Sequence, residues 1–141
     1  MGNIEKQNAK FALFRNYDQA TKELANIKVM ASQVIKDTEA KKAELKAEIT
    51  KGLETVRVLI YTNRSLIAEA PKGKEGKVAL EAIQNEVNVV EASLGEVTAL
   101  LERGELLPAK DKVQAANDKA NALKAELEEV ISKYSKSSKR K

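Results

Sequence analysis

The residues that could do chemistry are few. The sequence has no His and no Cys, so an imidazole base, a thiolate nucleophile and the usual zinc or haem ligands are excluded, because each depends on one of those side chains. Disulfides are excluded with them. What remains is Ser, Lys, Tyr and the carboxylates. Gly73-Lys74-Glu75-Gly76-Lys77 has the glycines and the lysine of a phosphate-binding loop. Its spacing is wrong, however, and Val78 follows where Ser or Thr is required, with a helical segment in front instead of a strand. It reads as a turn between helices. Glu128-Glu129 and the Glu residues that recur along each helix could in principle hold metal inside a bundle, but such sites pair Glu with a His one turn on, which this chain lacks. A solvated helix face accounts for them. Ser65, Ser93 and Tyr61 stand beside no identifiable base. No catalytic, cofactor-binding or metal-binding residue is assigned, and the expectation is a non-enzymatic protein with no cofactor and no small-molecule substrate.

Two groups of residues point to binding. Lys133, Lys136, Lys139, Arg140 and Lys141 supply five of the 25 positive charges, which leaves residues 1–132 with 20 positive against 21 negative. The net charge of +4 therefore belongs to the tail. Lys136, Lys139, Arg140 and Lys141 form a candidate anionic-surface site for nucleic acid or a membrane, with a strong salt dependence. The plain alternative is a flexible, solubilising terminus over 133–141. The second group is Phe11, Phe14 and Tyr17, three of the five aromatic residues. Aromatic side chains bury much apolar area and are common anchors of interfaces. These three spiral around a helix instead of keeping to one stripe, so one bundle interior is a poor home for all of them. With Leu24 they form the candidate partner-binding surface, for a second copy of the chain or for another protein; the plain alternative for the aromatic cluster is the capped end of a bundle.

The elements that position these groups are helices. Ala, Glu, Lys and Leu dominate, with 6 Gly, 2 Pro and 4% aromatics, and these straight-chain residues lose little rotamer freedom in a helix. Leu80, Ile83, Val87, Val90, Leu94, Val97 and Leu101 recur at alternating steps of three and four, as do Leu106, Ala109, Val113, Ala116, Ala120, Leu123, Leu127, Val130 and Tyr134. Each series is one apolar seam on a helix. Gly104 between them can take the left-handed conformation that closes a helix, and Pro108 fits the first turn of the next, where its missing N–H costs nothing. Residues 77–103 and 106–134 are thus expected to form an antiparallel hairpin. Upstream, Pro71, Gly73 and Gly76 end a helix near Ala70. A third seam, Ile49, Leu53, Val56, Ile60, Asn63, Ile67 and Ala70, can join the hairpin, with Asn63 as a polar interruption that fixes register.

A fourth seam comprises Leu13, Tyr17, Ala20, Leu24, Ile27, Ala31, Val34 and Thr38. Residues 36–48 between the third and fourth seams offer Leu45 as their only large apolar residue, and the two stripes do not continue in phase through them. Two readings stand. Asp37 or Thr38 could cap a new helix after a turn, giving helices over 4–37 and 39–70 in a folded-back four-helix bundle. Alternatively, pairs such as Asp37 with Lys41, Glu39 with Lys42 and Glu48 with Lys51 hold one unbroken helix, whose first part carries an apolar stripe for another subunit to cover. The expected fold is all-α, an antiparallel helical bundle of three to four long helices over residues 1–132 with a C-terminal helical hairpin and a basic tail over 133–141.

The stretch from Glu69 to Leu127, with Ala-Pro-Lys-Gly-Lys, the helix 79–101, Arg-Gly-Glu-Leu-Leu-Pro-Ala-Lys and an Ala-, Asn- and Lys-rich second helix, resembles the helical hairpins of small exported, lipoprotein-like bacterial proteins of unknown function. The resemblance implies a non-catalytic role and a periplasmic or cell-surface location. No apolar export signal is present at the N-terminus and Lys6 departs from a myristoylation signal, so the sequence reads either as a mature form with an export signal removed or as cytoplasmic. The function expected is that of a structural or interaction protein that self-associates or docks a partner through exposed apolar helix. The alternatives are nucleic-acid or anionic-surface binding by the tail, and a chaperone-like or membrane-associated helix that takes up apolar clients.

Overall fold

The structure, a computed structural model, describes residues 2–138. The protein is all-α, with three helices and no strand among the described residues: α1 (Gly2–Glu69), α2 (Lys74–Glu102) and α3 (Leu106–Ser138). Three helices replace the three to four expected, because no break occurs near Asp37. Residues 36–48 are Ala, Lys and Glu for the most part and include neither Gly nor Pro, so nothing in the backbone chemistry interrupts the hydrogen-bond ladder. Thr38, a candidate cap, instead donates its hydroxyl to the carbonyl of Val34 one turn back at 2.7 Å. That bond satisfies the side chain inside a continuing helix. The C-terminal helix also runs further than its seam, with helical backbone through Ser138.

The chain divides into two compact units, Met1–Lys42 and Ala43–Lys141. The second unit holds residues 43–69 of α1 together with α2 and α3, and it contains the core. Ile49, Leu53, Val56, Ile60 and Ala70 meet the seams of α2 and α3 in one apolar cluster. The three-and-four spacing is what allows this, since it keeps one stripe of each helix facing its neighbours over many turns. Leu101, Val130 and Tyr134, at the ends of their seams, are half-buried. Leu106 is buried while its neighbour Leu107 stands exposed, as the periodicity requires.

The two breakers act by different chemistry. Gly104 has a φ of +76°, a conformation in which a side chain would crowd the backbone. Its N–H donates to the carbonyl of Leu101 at 3.0 Å and that of Glu105 donates to Leu100 at 2.9 Å. Those two bonds satisfy two of the orphan carbonyls at the end of α2. At the other turn, Pro71 disfavours helix at Ala70, and α2 restarts from Gly73, whose extended backbone offers its carbonyl to the N–H of Lys77 at 2.9 Å.

Two contacts set the register of α1 against α3 inside the second unit. A Cβ on Gly52 would lie 3.1 Å from Cγ1 and 3.3 Å from Cγ2 of Val113, so the helices approach closely there. A Gly52→Leu variant, which would drive three further carbons into that contact, is expected to destabilise the second unit by about 1–3 kcal/mol through overpacking, read as a lower urea midpoint. An unchanged midpoint would show that the contact is slack. About three turns further along α1, Asn63 is 0% exposed; its Nδ2 donates to the carbonyl of Ala120 at 3.0 Å, and its Oδ1 has no partner. A buried amide so placed favours the one register in which its donor is satisfied.

Ion pairs join the helices of this unit at their solvated margins. Arg64 makes a two-pronged contact with Glu91, at 2.6 and 3.1 Å, and reaches Asn88 at 3.1 Å. Lys119 pairs with Glu86 at 3.2 Å, Lys112 pairs with Glu96, and Lys110 pairs with Glu48 at 3.0 Å. Glu48 thus turns to α3, away from the in-helix partner Lys51 expected of it. All are partly exposed, so each contributes about 0–1 kcal/mol and their role is orientation more than stability.

Candidate interaction surface

The N-terminal unit shows the opposite distribution of apolar residues. Every described residue from Gly2 to Lys42 is exposed. Phe11, Phe14, Tyr17 and Leu24, the expected partner-binding residues, are 58–73% exposed, and so are Leu13, Ile27, Met30, Val34 and Ile35. A helix this rich in large apolar side chains ordinarily owes its stability to packing of one face. Here that face is open.

The helix places the candidates unevenly. Tyr17 and Leu24 are members of the seam, and Phe14 borders it, whereas Phe11 lies about 120° around the axis from Tyr17 at 3.6 residues per turn. The structure therefore gathers three of the four residues on one side and leaves Phe11 away from it. Leu13, Ile27 and Val34 complete the stripe. Its ends are marked by Lys10 and Lys41, which occupy the next seam positions and put charge where an apolar contact would have to continue. The three-and-four spacing identifies the wider set and excludes Phe11, whose aromatic ring is large but lies off the stripe.

Among the described residues, the other chemical groups singled out by the sequence are dispersed over the helices. Lys136 is exposed in the last turn of α3, while Lys139, Arg140 and Lys141 lie outside the described residues. Gly73–Lys77 forms the start of α2, and Gly76 packs against the ring of Tyr134. Ser93 donates to the carbonyl of Val90 at 2.6 Å and Ser65 to the carboxylate of Glu69 at 3.2 Å, both within their own helices. Tyr61 lines a shallow groove with Arg57, Arg64, Glu91 and Gly95, in which Arg64 and Glu91 pair with one another. Among the described residues no cluster of three acidic side chains is placed to hold a metal ion, and no helix is long and apolar enough to cross a membrane.

Set beside known protein families, curated proteins and solved structures, the chain has no match. The class of protein is accordingly defined by architecture alone: an all-α protein with a three-helix core unit and a helical unit whose apolar side chains are exposed.

Proposed function

We propose that this is a non-enzymatic structural or interaction protein that self-associates or docks a protein partner through the apolar face of residues 13–38. The observation that carries the reading is the exposure of that entire seam in a helix with no polar substitute for it. Contiguous apolar surface of this kind in a folded protein marks an interaction site, because covering it removes unfavourable contact with water. The second unit, whose seams are already sealed against one another, serves as the folded body to which the interaction helix is attached. The resemblance of 69–127 to exported helical hairpins fits such a non-catalytic role.

Hydrogen exchange resolved by segment tests it. Amides of residues 13–38 are expected to exchange fast in dilute protein and to become protected as concentration rises or a partner is added, whereas the core around Val56, Val87 and Leu127 stays protected throughout. Full protection of 13–38 in the most dilute sample would contradict the reading, since the helix would then hold without cover.

Binding of anionic surfaces by the tail is a separate activity and should be separable. Replacing Lys136, Lys139, Arg140 and Lys141 with Ser is expected to leave association through α1 unchanged and to remove any salt-sensitive retention on heparin. Loss of association in that variant would transfer the interaction site to the tail.

A further inference from the structure

Resting on the reading that residues 13–38 form an interaction face, we infer that its occupant is a second copy of the same segment, aligned parallel and in register. The seam has the repeat of a two-stranded coiled coil, with Tyr17, Leu24, Ala31 and Thr38 at a positions and Leu13, Ala20, Ile27 and Val34 at d. Which partner and which direction it takes are decided by the residues flanking the seam, where each g residue of one helix meets the e residue of the following heptad on a parallel partner.

Those flanks are complementary to themselves. Glu23 falls opposite Lys28 of the second copy, and Asp37 opposite Lys42. Where the flank is apolar its counterpart is apolar too: Ala9 meets Phe14 and Met30 meets Ile35. The remaining pair, Asn16 with Thr21, is polar on both sides. No position in the series sets like charges together or a charge against an apolar group. By symmetry each charge pair occurs twice in the assembly. Glu23 and Lys28 form no salt bridge within the chain among the described residues, which leaves both charges available. Antiparallel pairing through the same seam loses this match, because Ala20 then packs on Ala31, Glu23 faces Met30 and Asp37 faces Asn16. Of the outward positions, Arg15, Asp18, Lys22, Gln33 and Lys36 are polar and Val29 is apolar and exposed, so the exterior of the pair is mostly solvated. Phe11 sits on that exterior and takes no part in the contact.

The chain has no native cysteine, so single thiols report the alignment of the full-length protein without interference. The Ala20→Cys variant in a glutathione redox buffer is expected to form a disulfide with itself, because a parallel in-register pair brings the two d positions within bonding reach. The Ala20→Cys and Ala31→Cys variants mixed together should give no excess of mixed product. Glu23→Lys should weaken association about tenfold by turning two attractions into two repulsions, and adding Lys28→Glu should restore it. A mixed Ala20–Ala31 cross-link without the self cross-link would overturn the parallel alignment and leave the face itself as the interaction surface. So would a Glu23→Lys variant that associates unchanged. A mass of three or more chains would overturn the pairwise assembly, and a mass of one chain with no cross-link in either arm would overturn self-pairing altogether. The wider reading fails by a different signal, full exchange protection of residues 13–38 in dilute protein.

Discussion

The Leu24→Lys, Ile27→Lys double variant is expected to remain a single chain at concentrations where the unaltered protein associates. Both residues are exposed in the N-terminal unit and occupy the middle of the seam. Burying a side chain of this size contributes roughly 1.5–3 kcal/mol, and four are lost when each chain of a pair carries both changes. The dissociation constant should therefore rise by at least about 10⁴-fold, since each 1.4 kcal/mol is a factor of ten, before any repulsion between the new ammonium groups is counted. The melting of the second unit should not change, because neither residue belongs to its core. That combination separates loss of an interface from loss of the fold. A variant that associates as well as the parent would place the contact elsewhere.

The second large effect is expected in the body of the protein. Leu127 is 0% exposed and belongs to the apolar core cluster, so Leu127→Ala should cost about 2–5 kcal/mol through lost transfer energy and the cavity left behind. For a unit of this size the midpoint of thermal unfolding should fall by more than about 10 °C. Leu107→Ala is the matched control. Leu107 is chemically identical but exposed, and its loss should move stability by no more than about 0.5 kcal/mol. Equal effects at the two positions would mean that the seam of α3 does not face the core.

The contrast between Leu106 and Leu107 shows why so much of this fold is legible in the sequence. Three-and-four spacing assigns one of two adjacent leucines to the interior, and the same rule identifies the buried stripes of α2, α3 and residues 49–63 of α1. Gly104 is legible for a different reason: few residue types tolerate its φ, so its place just after a seam reads as a helix end. The ion pairs between helices were not legible. Arg64 with Glu91 depends on the azimuth and axial offset of two helices, which spacing along one chain does not specify. The orphaned Oδ1 of Asn63 is hidden for the same reason.

The course of α1 between Asp37 and Glu48 was the part that sequence left open. Helix propensity is a property of the backbone and of each side chain's rotamers, whereas a seam depends on what the helix packs against. Residues 36–48 are strong in the first and weak in the second, so loss of the stripe there looked the same as a turn. Along the sequence, the stripe of 13–38 also falls one residue out of phase with that of 49–70. As for the candidate surface, its apolar residues could be counted from sequence, but their exposure could not, because a four-helix bundle would have buried the same stripe.

Sedimentation equilibrium of the full chain across a hundredfold range of concentration tests the central claim most directly. The mass should climb from the 15.5 kDa of one chain toward twice that value, and the Leu24→Lys, Ile27→Lys variant should stay at the lower figure throughout. A mass of one chain at every concentration for both proteins, with identical helicity, would contradict the account.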